Sequence, residues 1–103
     1  MDQKAKILDI AMNLNRIGNW SADGYKSKRK RIIQFLDQTT QYIQSLNSAN
    51  FSNPFKKTFS KFLEKYKELE MVGRNGPKDE LYFAEMMMTW GNILTHRSSL
   101  IRD

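Results

Sequence analysis

The sequence of 103 residues contains no cysteine and only one histidine, His96. It can therefore form neither a disulfide nor a thiolate metal site, and only carboxylates remain as metal ligands. These show none of the spacings typical of metal-binding motifs, so we expect no metal and no cofactor. No nucleophile motif surrounds His96, which favours a structural role for it. The missing chemistry predicts a protein that is not an enzyme, takes no small-molecule substrate and acts by binding.

Long hydrophobic runs are also missing. The most apolar stretch, Leu81 to Leu94, is interrupted by Glu85, Thr89 and Asn92, and it is too short to span a bilayer as a helix. The N-terminal segment lacks the apolar core of a signal peptide. Together with the absence of cysteine, this pattern predicts a soluble protein of the cytoplasm that has no membrane partner.

Proline and glycine are scarce, at two and five residues respectively. Between them, apolar residues recur every three or four positions, which is typical of amphipathic helices, and no segment resembles a strand. The pattern predicts helices at residues 2–17, 24–46, 54–72 and 80–96, with a loop at 18–23 between the first two. Short connections between such helices favour an all-α fold, an up-down antiparallel bundle of about four helices, in a single domain that covers residues 1–103.

The predicted helix at 80–96 differs from the others because apolar side chains cover most of its circumference. A helix of this kind must be covered on several sides. Either it occupies the centre of the bundle, or another protein chain covers part of it, and methionines suit such adaptable contact surfaces. The residues predicted to form a protein interface are Tyr82, Met86, Met87, Met88 and Trp90.

Cations outnumber anions, with 17 lysine and arginine residues against 11 aspartate and glutamate residues and a net charge of +6. Such an excess favours polyanionic partners, although it can also serve solubility alone. The densest basic group lies at 26–31. Like charges one turn apart destabilise a helix, so this arrangement suggests an external anion. Alternatively, Glu68 and Glu70 of the following helix neutralise the group.

A second basic group, at 56–61, lies at the opposite end of the predicted bundle together with Arg97, where few acidic residues compensate it. Positive charge at both ends fits a ligand that runs along the bundle. Trp20 and Tyr25, beside the first group, are candidates either for stacking on bases or for closing the end of the bundle. No sequence-reading motif is present, so we predict backbone contacts with RNA or single-stranded DNA. The residues predicted to contact phosphates are Lys26, Lys28, Arg29, Lys30, Arg31, Lys56, Lys57, Lys61 and Arg74.

In overall character the chain resembles the small helical subunits of multi-protein CRISPR effector complexes, which serve antiviral defence. The likeness lies in a basic helical chain of this length with one apolar helix, Leu81 to Leu94, and one basic stretch, Lys26 to Arg31. It includes no diagnostic motif, so no residue role is transferred by position. The resemblance implies a non-catalytic subunit stacked along a guide-RNA-bearing filament. The alternative is a protein-interaction adaptor or regulator that uses the apolar helix at 81–94.

Overall fold

The computed structural model describes residues 2–101, and all regular structure within them is helical. The α-helices are α1 (Gln3–Gln44), α2 (Asn53–Asn75) and α3 (Glu80–Arg97), with single 3-10 turns at Ser48–Asn50 and Ser98–Leu100. The predicted all-α class is confirmed. The predicted number of about four helices is wrong, because the described part of the chain has three.

The difference arises at the predicted loop of residues 18–23, which is helical and belongs to α1. Gly18, expected to end the first helix, is buried inside it. A Cβ atom at this position would lie 2.6 Å from Met88 Cγ and 2.9 Å from the Ala84 carbonyl oxygen. The glycine is therefore needed for the close approach of α3 and does not stop the helix.

The chain does reverse within α1, at Gly24. This residue has φ 151° and ψ 97°, a conformation that L side chains rarely adopt. A straight helix of this length would extend about 63 Å, whereas the longest dimension of the molecule is 39 Å. α1 therefore folds back on itself without a loop, and we call residues 3–23 its first arm and 25–44 its second arm.

Hydrogen bonds join the two arms along their length. At the end of the arms that is far from Gly24, Lys6 Nζ donates over 3.2 Å to the carbonyl oxygen of Ser45, the residue that caps the second arm. Midway, the buried Asn13 donates from Nδ2 to Gln38 Oε1 (3.0 Å) and to Thr39 Oγ1 (3.3 Å). A buried amide costs free energy unless its hydrogen bonds are satisfied, so these contacts help to fix how the arms pair.

The two arms, α2 and α3 pack as four antiparallel segments. Among the three α-helices, α1 and α3 have the most extensive contact. In each neighbouring pair, later positions of one segment meet earlier positions of the other. The pairs that show this are Tyr25–Gly73 and Leu36–Tyr66 between the second arm and α2, Phe62–Trp90 and Gly73–Phe83 between α2 and α3, and Gly18–Ala84 and Ala11–Gly91 between the first arm and α3.

Large apolar side chains that are at most 1% exposed fill the space between these segments, and each contributes about 1.5–3 kcal/mol through burial. They are Ile7, Ile10, Leu14, Ile17, Ile32, Leu36, Phe55, Phe62, Phe83, Met87 and Leu94. Every segment supplies part of this set, because each helix presents an apolar stripe to the centre. The core therefore holds α2 and α3 at the spacing that creates the groove described below.

Tyr66 provides a polar link between α2 and the second arm within this core. Its hydroxyl donates to the Leu36 carbonyl oxygen over 3.1 Å and lies 3.0 Å from Thr40 Oγ1. Burial of the phenol raises the pKa of Tyr66. The hydroxyl therefore stays protonated under ordinary conditions and can remain the donor to Leu36.

Candidate nucleic-acid interface

The basic residues at 26–31, which were predicted to contact phosphates, lie in the first turns of the second arm, next to the kink at Gly24. We call them the kink cluster. All of its cations except the half-buried Lys28 are exposed. Lys28 Nζ lies 4.0 Å from Asp23 Oδ2. Because Asp23 is well exposed, a contact of this length adds little stability. Among residues 2–101 the kink cluster makes no other ion pair.

The alternative that Glu68 and Glu70 neutralise the kink cluster is wrong for direct ion pairs. Glu68 Oε2 lies 3.3 Å from Lys65 Nζ on its own helix. Glu70 Oε2 accepts from Arg74 Nη2 over 2.9 Å and from Thr40 Oγ1 over 2.8 Å. Both carboxylates are therefore occupied by partners outside the kink cluster.

Arg74, predicted to contact phosphates, is instead the centre of an internal ion-pair network. Its Nη1 lies 2.7 Å from Asp37 Oδ1 and its Nη2 lies 2.9 Å from Glu70 Oε2. Hydrogen bonds to Glu70 and Asp37 raise the pKa of Arg74. Its guanidinium thus ties α2 to the second arm, and two carboxylates already balance its charge.

The aromatic residues beside the kink cluster, Trp20 and Tyr25, already contact other side chains or the backbone of the protein. Tyr25 is buried and donates from its hydroxyl to the Gly73 carbonyl oxygen, so of its two alternatives it fits closing the end of the bundle and not stacking on bases. Trp20 packs edge-on against Phe35 with 4.9 Å between ring centroids. The Arg31 guanidinium lies over the Trp20 ring, 5.8 Å from its centroid. The Trp20 ring therefore already has a cation over it and a second aromatic ring against it.

A second candidate site lies at the other end of the molecule, between the start of α2 and the end of α3. Two adjoining cavities, of about 420 and 480 Å³, share Thr58, Lys61 and Arg97, and we call them together the α2–α3 groove. The first is also lined by Asn53, Pro54 and Lys57, and the second by Trp90, Asn92, Ile93 and His96.

Helix geometry brings the cations of this groove together. Lys57 and Lys61 are one turn apart on α2, so they project to the same side of the helix. Arg97 is the last residue of α3, which runs antiparallel to α2. All three side chains are exposed, and none makes an ion pair in the part of the chain that the structure describes. No acidic residue among residues 2–101 lines either cavity.

Sequence reasoning selected Lys57 and Lys61 for this site, but it placed Trp90 in a protein interface and left His96 and Arg97 out of the site. The signal for Arg97 was its place at the less compensated end of the charge pattern. Lys56, also predicted, is exposed but lines neither cavity.

The residues predicted to form a protein interface on α3 differ in their exposure to solvent. Met87 is completely buried, Met86, Met88 and Trp90 are half-buried, and only Tyr82 is exposed. Of the two alternatives for the apolar helix, a central position in the core explains why Met87 is buried. Met88 covers the first arm at Gly18.

Another apolar surface lies at the turn from α2 to α3. Met71 is 65% exposed, Val72 41% and Tyr82 53%, and all three line a cavity of about 430 Å³. Leu81, beside Tyr82, is 68% exposed. We call these four residues the apolar patch. Of the residues predicted to form a protein interface, Tyr82 belongs to this patch and the other four do not.

Within residues 2–101, no helix is both long and apolar enough to cross a membrane. In the same range, no three histidine, cysteine, aspartate or glutamate side chains are grouped so that they could hold a metal ion. Compared with protein-family models, with curated proteins and with solved structures, the chain gives no match.

Proposed function

We propose that this protein binds nucleic acid without catalysis, through phosphate contacts in the α2–α3 groove. The observation that carries the proposal is the concentration of Lys57, Lys61 and Arg97 around one groove that no described carboxylate lines. Exposed cations that line a cleft without acidic neighbours raise the local concentration of anions there. The net charge of +6 acts in the same direction.

The chemistry of the groove suits phosphate groups of a backbone. Lysine ammonium groups bind phosphate as point charges, and an arginine guanidinium donates two parallel hydrogen bonds to it. The amide of Asn92 is a further donor of the kind that contacts phosphate and sugar. Contacts of this type fix the position of a strand without reading its sequence.

The kink cluster extends the same proposal along the molecule. It lies at the end of the second arm opposite the α2–α3 groove, and the molecule is 39 Å long. A strand held in the groove can follow the surface toward the exposed cations Lys26 and Lys30. Two basic surfaces on one strand would make the affinity strongly dependent on salt.

The test compares two triple variants of equal charge. Lys57→Gln, Lys61→Gln and Arg97→Gln together should weaken binding of a fluorescently labelled single-stranded oligonucleotide about 10- to 100-fold, since each exposed charge contact contributes up to about 1 kcal/mol. The slope of log affinity against log salt should also fall by roughly 2 units for three lost contacts. Fluorescence anisotropy over a salt series measures both quantities.

The matched control is Lys56→Gln, Lys67→Gln and Lys78→Gln, which removes the same charge from exposed residues that do not line the groove. We expect this variant to retain most of the affinity. Equal losses in the two variants would show that the groove has no special role, and a native protein that binds no oligonucleotide at low salt would refute the proposal.

A second candidate function, contact with another protein subunit, is favoured by the exposure of the apolar patch. Apolar side chains grouped at a surface commonly mark an interface. A small subunit of a CRISPR effector complex would combine this patch with the groove. A photo-crosslinker at Leu81 should give one defined protein adduct in native cells, whereas one at the exposed Thr89 of the same helix should not. Identical adduct patterns at the two positions would count against this candidate.

A further inference from the structure

We infer that the ligand of the α2–α3 groove is a single strand whose unpaired base lies against Trp90. This inference rests on the proposed function and names the form of nucleic acid that the groove accepts. It starts from the difference between the two adjoining cavities. One is lined by the cations and by Asn53, Pro54 and Thr58, and the other adds the apolar surfaces of Trp90 and Ile93.

The second cavity has the chemistry that a nucleobase requires. A base has two apolar faces and a polar edge, so it needs a flat hydrophobic surface with hydrogen-bonding groups around it. Trp90 and Ile93 provide the surface, and Asn92 and His96 line the same cavity. Within residues 2–101 neither the Asn92 amide nor the His96 ring makes a hydrogen bond to the chain, so both remain available to a base edge.

The Trp90 ring is held from the inner side of the bundle. It packs against Phe62, with 5.8 Å between ring centroids and an interplanar angle of 52°. Phe62 itself has no solvent exposure. A supported ring loses little side-chain freedom when a base stacks on it, which favours binding. Trp20, in contrast, is covered by Arg31 and Phe35, so the two tryptophans differ in what they can offer a ligand.

The shared lining of the two cavities makes a phosphate site and a base site neighbours. Lys61 and Arg97 line both cavities, so a phosphate bound to them is adjacent to the Trp90 surface. In a duplex the bases are stacked and paired inside the helix, and only its phosphates could reach this groove. A single strand can use the cationic and the aromatic surface together. The groove should therefore prefer single strands.

The experiment uses each tryptophan as a separate fluorescent reporter. The Trp20→Phe variant leaves Trp90 as its one tryptophan, and Trp90→Phe leaves Trp20. On saturation with a short oligothymidylate, the fluorescence of the Trp20→Phe variant should be quenched, and that of the Trp90→Phe variant should change little. Circular dichroism of both variants checks that the helices are intact.

Affinity supplies an independent readout with an abasic strand that keeps the phosphates but lacks the bases. Base–aromatic stacking predicts that the abasic strand binds about 5- to 150-fold more weakly than oligothymidylate, and that Trp90→Leu reduces this difference. A blunt duplex of the same length should also bind more weakly. Binding without Trp90 quenching, with equal affinity for the abasic strand, would overturn the inference and leave the proposed function in place. No binding of any of the three probes would overturn both.

Discussion

Replacing Phe62 by alanine is expected to lower the free energy of unfolding by about 3–5 kcal/mol. The ring has no solvent exposure and contacts three other aromatic rings, with centroid distances of 5.5 Å to Tyr66, 5.8 Å to Trp90 and 6.0 Å to Phe59. The space left by the ring cannot close easily, because Tyr66 is held by its hydrogen bond to Leu36. A small domain is stable by only about 5–15 kcal/mol, so much of the fold's stability would be lost.

Urea denaturation followed by circular dichroism measures this change. Leu63→Ala is the matched control, since Leu63 follows Phe62 on the same helix but is half-buried. Its loss should be clearly smaller, because less apolar surface returns to water when a half-buried side chain is truncated. A loss below about 1 kcal/mol for Phe62→Ala would contradict the assignment of this ring to the centre of the core.

Gly24→Ala is the second substitution with a large expected effect, of about 1–3 kcal/mol. The cause is the backbone and not a clash, since a Cβ atom would meet only Ser27 Oγ, at an ordinary distance of 3.4 Å. At φ 151° an L side chain is strained. The strain is relieved if α1 straightens, which would separate its arms and let the second arm pack into another copy of the chain. We therefore expect both lower stability and a larger dimer fraction.

Denaturation and sedimentation velocity test these two consequences of Gly24→Ala together. Asn19→Ala, at an exposed helical position of the first arm, is the control and should change stability by less than about 0.5 kcal/mol. If Gly24→Ala were as stable as the native chain and no more dimeric, the chain could reverse at this position with a backbone conformation that alanine also adopts. In that case the loopless geometry would not depend on glycine.

The sequence predicted α2 and α3 well because their ends carry local signals. Residues 54–72 and 80–96 were predicted, and the helices are Asn53–Asn75 and Glu80–Arg97. Pro54 lies in the first turn of α2, where its missing N–H costs nothing. Asp79 caps α3 by accepting from the Tyr82 amide over 2.9 Å. Such signals act within one turn, so they need no knowledge of the rest of the fold.

Two glycines misled the prediction because their role is set by distant residues. Gly18 and Gly73 were both expected to end helices, and both are buried inside them. A Cβ atom at Gly73 would lie 2.9 Å from Phe83 Cζ, so this glycine makes room for α3. Local sequence cannot distinguish a glycine that ends a helix from one that another helix packs against. Among the glycines, Gly24 and Gly76 are the ones at which the backbone turns, and both have positive φ.

The candidate site was only partly predicted, because the contacts that define it also depend on residues far apart in the sequence. Charge counting found Lys57 and Lys61, since uncompensated cations are visible in the sequence. It also selected Arg74, whose pairing with Asp37 depends on the antiparallel packing of α2 and the second arm. For Trp90, the pattern showed an apolar helix but not which neighbour covers which side. Assigning it to the groove required the position of α2.

The reversal of α1 without a loop also affects how susceptible this protein is to proteolysis. The kink cluster holds the densest set of lysine and arginine residues in the chain, and hence of potential trypsin cleavage points. Proteases act on extended, locally unfolded backbone, which exposed loops provide. Here the basic residues begin within two positions of the reversal and lie in a helix. Cutting there requires the paired arms to open first, so this geometry shields the most basic segment of the protein from digestion.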